Sequence, residues 1–61
     1  MTRNEAVKAM LEGEKVTHRY FSIHEYLFMK YEVITTEDGY KFNHEFYSRE
    51  MFNDGWRVYR E

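Results

Sequence analysis

Hydrophobic and polar positions follow two different periods in this chain, and the period changes at Gly13. Upstream, Ala6, Val7, Met10 and Leu11 recur at helical spacing and form one apolar stripe. Lys8 and Glu12 fall on the other side, four residues apart. Thr2 and Glu5 have capping-box spacing: a hydroxyl for the backbone N–H three residues on, and a carboxylate reaching back. Gly13 is placed to end the helix in the left-handed conformation. The pattern predicts a helix over 3–12.

From Glu14 to Phe21 the period is two. Val16, His18 and Tyr20 fall on one face of a strand, and Lys15, Thr17, Arg19 and Phe21 on the other. Ser22–Glu25 reads as a connection, and Tyr26–Met29 as a second strand extending toward Tyr31. Val33–Thr36 is rich in β-branched residues and reads as a third strand. Asp38-Gly39 is a type I′ hairpin signal, with Tyr40–Phe42 as the returning strand. Asn43 is positioned to cap a short second helix over His44–Phe52. Asn53-Asp54-Gly55 breaks it, and Trp56–Tyr59 is a last strand, with Trp56 and Val58 on one face and Arg57 and Tyr59 on the other. These elements make an α+β domain spanning residues 1–61. An N-terminal helix packs on a small antiparallel sheet of four to five short strands, with a short second helix before the last strand.

Size and composition sharpen this picture. A chain of 61 residues buries only roughly 60% of the surface it exposes when unfolded, so a lone copy has little core to spend. There is no cysteine, which excludes disulfides and thiolate metal sites and suits a reducing compartment. Aromatic residues make up 20% of the chain. That is more than so small a core needs, so some of them are expected at an interface or in a pocket, and the protein is expected to self-associate.

Charge excludes some partners. Nine Lys/Arg against eleven Asp/Glu give a net charge of −2, with no like-charge run longer than two residues. No basic stripe of the kind a general nucleic-acid-binding protein carries is visible along the chain. There is no apolar run near the roughly 18 residues of a membrane span, no signal-peptide core and no lipidation motif, so the sequence reads as soluble and cytoplasmic.

No catalytic constellation stands out. His18, His24 and His44 are too irregularly spaced for a helical zinc pair. Ser22 and Ser48 sit in no nucleophile motif, and no glycine-rich phosphate loop exists. Glu37-Asp38 reads as turn, and Glu45 and Glu50 as a solvated helix face. The expectation is a protein that is not an enzyme and needs no metal or cofactor. Binding fits better. His18, Arg19 and Phe21 combine donors with stacking surface, and Tyr26, Tyr47, Trp56 and Tyr59 add further ring faces. Arginine together with aromatic rings is the combination that recognises nucleotides, and aromatic residues are enriched at protein interfaces. These seven residues are the expected ligand- or partner-binding set, with Tyr20 and Phe28 as further stacking faces beside them.

The segment Leu11-Glu12-Gly13-Glu14-Lys15-Val16, followed by basic residues and Phe21, by Tyr26-Leu27-Phe28-Met29 and by Asp54-Gly55-Trp56-Arg57-Val58, resembles a family of short bacteriophage proteins whose characterised branch is the Thoeris anti-defence two proteins. The family's Trp position is Phe21 here, its basic position is His18 with Arg19 beside it, and a compact hairpin around Asp38-Gly39 stands where the family has a longer central region. The resemblance implies a phage sponge that sequesters a cyclic nucleotide immune signal without cleaving it, at sites between subunits of a homo-oligomer. Beside it stands the leading expectation, a small phage-type accessory protein that counters a host or bacterial defence protein by direct, non-catalytic binding in the host cytoplasm. A structural or accessory homo-oligomeric domain is the third.

Overall fold

A computed structural model describes residues 1–60 and has the α+β architecture that the periods predict. In chain order the elements are α1 (Arg3–Leu11), β1 (Val16–His18), β2 (Leu27–Lys30), β3 (Val33–Thr36), α2 (Asn43–Ser48), a 3₁₀ turn (Glu50–Asn53) and β4 (Trp56–Val58). The strands form one antiparallel sheet in the order β3-β2-β1-β4. Among the described residues no helix is long and apolar enough to cross a membrane.

Both ends of α1 are closed as the sequence predicts. The Thr2 hydroxyl accepts from the Glu5 N–H at 3.2 Å, and Glu5 Oε1 accepts from the Thr2 N–H at 2.8 Å. These bonds, the Thr2 backbone one foremost, hold the Glu5 carboxyl below its usual range. At the other end Gly13 (φ 94°) donates to the Met10 carbonyl and Glu14 to that of Ala9, the paired bonds of a Schellman motif. The apolar stripe differs from expectation at its end. Ala6, Ala9 and Met10 are buried, Val7 is half-buried and Leu11 is 66% exposed. At about 100° per residue, Leu11 lies well over a right angle from the Ala6–Met10 direction.

The strands are shorter than their hydrophobic runs. β1 stops at His18 because the chain turns there, with the Phe21 N–H donating to the His18 carbonyl. The turn breaks the two-residue alternation: Tyr20 is exposed, while Phe21 packs against the core beside His18. β2 and β3 pair from Leu27↔Thr36 to Lys30↔Val33, which leaves a two-residue loop at Tyr31-Glu32. Both loop residues have positive φ, 49° and 65°, as a type I′ turn requires. The I′ geometry expected at Asp38-Gly39 is therefore at Tyr31-Glu32. At the later site only Gly39 has positive φ, at 90°. Its N–H donates to the Thr36 carbonyl, and the returning Tyr40–Phe42 strand is reduced to one bridge, Thr35↔Lys41.

The second helix also departs from expectation. It ends at Ser48, because Arg49 is extended (ψ 125°), and the 3₁₀ turn follows. Arg3 of α1 holds the break, donating from Nε to the Phe46 carbonyl and from Nη2 to that of Arg49. Asn43 does not cap the helix. It lies inside the first turn, and its Oδ1 accepts from the Ile34 N–H at 2.9 Å, tying α2 to β3.

The registers place Val16, His18, Leu27, Met29, Ile34 and Trp56 on one face of the sheet. The buried residues of α1, α2 and the 3₁₀ turn join these in a single core. The two helices and the 3₁₀ turn thus cover one face, and among the described residues the other carries no helix.

Candidate binding face

The uncovered face is assembled from the alternate residues of each strand. Lys15 and Thr17 come from β1 and its approach, Phe28 and Lys30 from β2 with Tyr26 just before it, Val33 and Thr35 from β3, and Arg57 from β4 with Tyr59 just after it. Extending the Val16↔Leu27 and Val16↔Val58 registers by one residue sets Tyr59, Lys15 and Phe28 in a row across three strands, with Thr35 and Lys41 completing it. The next row holds Arg57, Thr17 and Tyr26.

Three rings group on this face. Tyr26 and Tyr59 lie 4.7 Å apart between centroids with a 37° tilt, and Tyr26 and Phe28 are 6.2 Å apart. Lys15 Nζ sits 4.7 Å from the Tyr26 ring centre, a cation–π contact. All three rings are half-buried, while Arg57, Lys30 and Lys41 are exposed. Thr17 is covered by the 22–25 loop, to whose Glu25 carbonyl its hydroxyl donates at 2.8 Å. Between that loop and the end of β4 lies a shallow cleft of about 380 Å³, lined by Thr17, Ile23, Arg57, Val58, Tyr59 and Arg60.

The charge of this face is the reverse of the chain's. Lys30, Lys41 and Arg57 are exposed on it, and Lys15 lies half-buried over Tyr26. Among the described residues at its strand-alternation positions the single carboxylate is Glu37, whose Oε1 accepts from the Tyr26 N–H at 3.2 Å. A chain of net charge −2 thus carries a cationic, ring-bearing surface on one side.

The residues expected to bind separate into three places. His18 and Trp56 are only 1% and 2% exposed, so the fold takes them out of reach of a partner, and Phe21 packs against them. Both ring nitrogens of His18 are spent inside the chain. Nδ1 accepts from the Tyr20 N–H at 3.2 Å, which puts the proton on Nε2, and Nε2 faces the carbonyls of Asp54 (2.7 Å) and Met51 (3.0 Å). Trp56 Nε1 donates to the Phe52 carbonyl at 2.7 Å. Arg19 and Tyr47 are exposed but lie elsewhere: Arg19 against Tyr20, and Tyr47 edge-on to Phe46. Tyr26 and Tyr59 are the pair brought together on an accessible surface.

Phe28, expected as a further stacking face, lies beside them, and Lys15, Lys30 and Arg57 complete that surface and were outside the expected readings. Their signal was the pleat: Lys15 alternates with Val16, and Arg57 with Trp56, so each points away from a core residue. Among the described residues no grouping of three or more His, Cys, Asp or Glu side chains forms that holds a metal ion. Compared with family models, curated proteins and solved structures, the chain matches none.

Proposed function

We propose that this chain is a small non-catalytic binding protein that uses the uncovered sheet face to occupy a host or bacterial defence component in the cytoplasm. One observation carries this reading. The outward positions on and beside β1, β2 and β4 carry three clustered rings and a set of cations, while every buried polar side-chain atom among the described residues already has a partner inside the chain. Side chains that stabilise the fold are enclosed and satisfied. On the open face Arg57, Lys30 and Lys41 are exposed and the three rings half-exposed, and tyrosine and arginine there are the residue types that anchor interfaces.

Direct contact with a defence protein is the leading form of the proposal, and the chain's surplus of Tyr, Phe, Met and Trp, residue types enriched at interfaces, supports it. A second form, sequestration of a cyclic nucleotide signal by a homo-oligomer, is favoured by the cleft beside Tyr59. There the Arg57 and Arg60 side chains border a ring, which suits a phosphate next to a base. Native mass spectrometry of the protein recovered from infected cells tests both forms together. The expected spectrum shows a stoichiometric polypeptide or small-molecule adduct on the wild type that is lost in Arg57→Glu. A bare chain in both, at any subunit count, overturns the proposal.

A further inference from the structure

We propose that the uncovered sheet face binds single-stranded nucleic acid, RNA or DNA, by base stacking and phosphate contacts. The inference rests on the reading of this face as the contact surface, and not on either defence role.

Three features point to this chemistry. The first is charge. Lys30, Lys41 and Arg57 spread from one edge of the sheet to the other, so the complementary ligand is an extended polyanion rather than a compact one. Four strands about 4.8 Å apart span roughly 15 Å between the edges, enough for two or three nucleotides. The second is the rings. Tyr26 and Phe28 are two residues apart on one strand, with centroids 6.2 Å apart, and Tyr59 continues the group onto β1's other neighbour. Sequence-tolerant recognition of single strands uses such a platform, because every base presents a π-face. The third is shape. The face is a sheet with no helix or ribbon rising from it to enter a groove, and a duplex keeps its base faces stacked inside. An acidic polypeptide also complements the cations, but its carboxylates offer no planar ring to stack on the cluster.

The test is fluorescence anisotropy of labelled oligo(U) and oligo(dT), with a duplex of equal length and poly-L-glutamate as comparisons. Both single strands are expected to bind and the duplex to bind more weakly. With three phosphates neutralised, affinity falls about twentyfold between roughly 50 and 200 mM salt. Tyr59→Ala is expected to weaken binding by about tenfold or more, while Tyr59→Phe retains it, which separates stacking from the hydroxyl. Arg57→Gln lowers the salt slope by about 0.7. Circular dichroism of each variant confirms that the fold is kept. Absence of single-strand binding at low salt overturns the inference, as does binding indifferent to Tyr59→Ala. If poly-L-glutamate binds in an Arg57-dependent way and the oligonucleotides do not, the face is a protein contact: the inference falls and the reading beneath it stands. If Arg57→Gln and Tyr59→Ala change the binding of neither polyanion, both fall.

Discussion

On the covered face of the sheet the rings belong to His18, Phe21, Phe42, Phe46, Phe52 and Trp56; on the uncovered face they belong to Tyr26, Phe28 and Tyr59. The covered group is a continuous packing network, with His18 and Trp56 4.7 Å apart, Phe46 and Trp56 5.0 Å apart and His18 edge-on to Phe52 at 5.0 Å. Its polar atoms are consumed locally: the Trp56 indole on Phe52, and both His18 nitrogens on backbone groups. The open group touches cations. Ring content therefore does not separate core from site in this chain. For the rings that carry a polar group, the destination of that group does. No tyrosine is among the buried core residues, whereas Phe46, Phe52 and Trp56 are, because a phenol prefers to keep its hydroxyl at the wet side of the packing.

The comparison breaks most severely at Trp56. Trp56→Ala removes the ring that Phe46, Phe52, Phe21 and His18 all contact. A loss of about 3–5 kcal/mol is expected, which equals much of the stability of a domain this small, so urea titration should find Trp56→Ala largely unfolded. Tyr59→Ala on the open face should leave a cooperative transition, displaced by only about 1 kcal/mol. Equal losses at the two sites would mean that the open face is a second core.

Gly55 tests the hinge beneath the covered face. Its φ is 93°, and an added Cβ would come within 3.0 Å of His18 Nε2 and 3.1 Å of Arg19 Nε. Gly55→Ala is expected to cost about 1–3 kcal/mol in the same titration, through backbone strain and displacement of the His18 bonds. At the far end of the sheet the sign reverses. Tyr31 and Glu32 hold left-handed conformations that neither side chain favours. Glu32→Gly should stabilise the protein by up to about 1 kcal/mol, read as a higher melting temperature. A lower one would show that Glu32 makes a contact outweighing its backbone strain.

The smallest effect belongs to the helix cap, which lies remote from both ring groups. The Glu5 carboxyl is held below its ordinary value by its bonds to Thr2. Its stabilising contribution is complete above the unfolded carboxyl's pKa and is lost as pH falls through the lowered one. Glu5→Gln should flatten the acid limb of the helical circular dichroism signal without changing the signal at neutral pH.

Some elements were legible because their cause is local. The capping box at Thr2 and Glu5, the Schellman end at Gly13 and the strand at Val33–Thr36 depend on residues a few positions apart, and each forms where its pattern predicts. The type I′ turn was misplaced because Asp38-Gly39 has the better local chemistry. The pairing of Phe28, Met29 and Lys30 with Thr35, Ile34 and Val33 imposes the positive-φ turn on Tyr31-Glu32 instead. Asn43 looked like a cap because nothing local reveals that the Ile34 N–H, nine residues away, competes for its oxygen.

By itself the sequence determined the α+β class, the helix and its ends, and the alternation that points Lys15 and Arg57 away from Val16 and Trp56. These follow from side-chain period and backbone preference, which act within a few residues. Only the tertiary structure decided which of the two faces is covered, and with it which aromatics are core. His18 and Trp56 went inside because β1 is a central strand whose helix-side face α1 and the 3₁₀ turn close over. The cationic face was invisible along the chain because its residues come from four separate strands. Pairing those strands brings together charges that the linear order keeps apart.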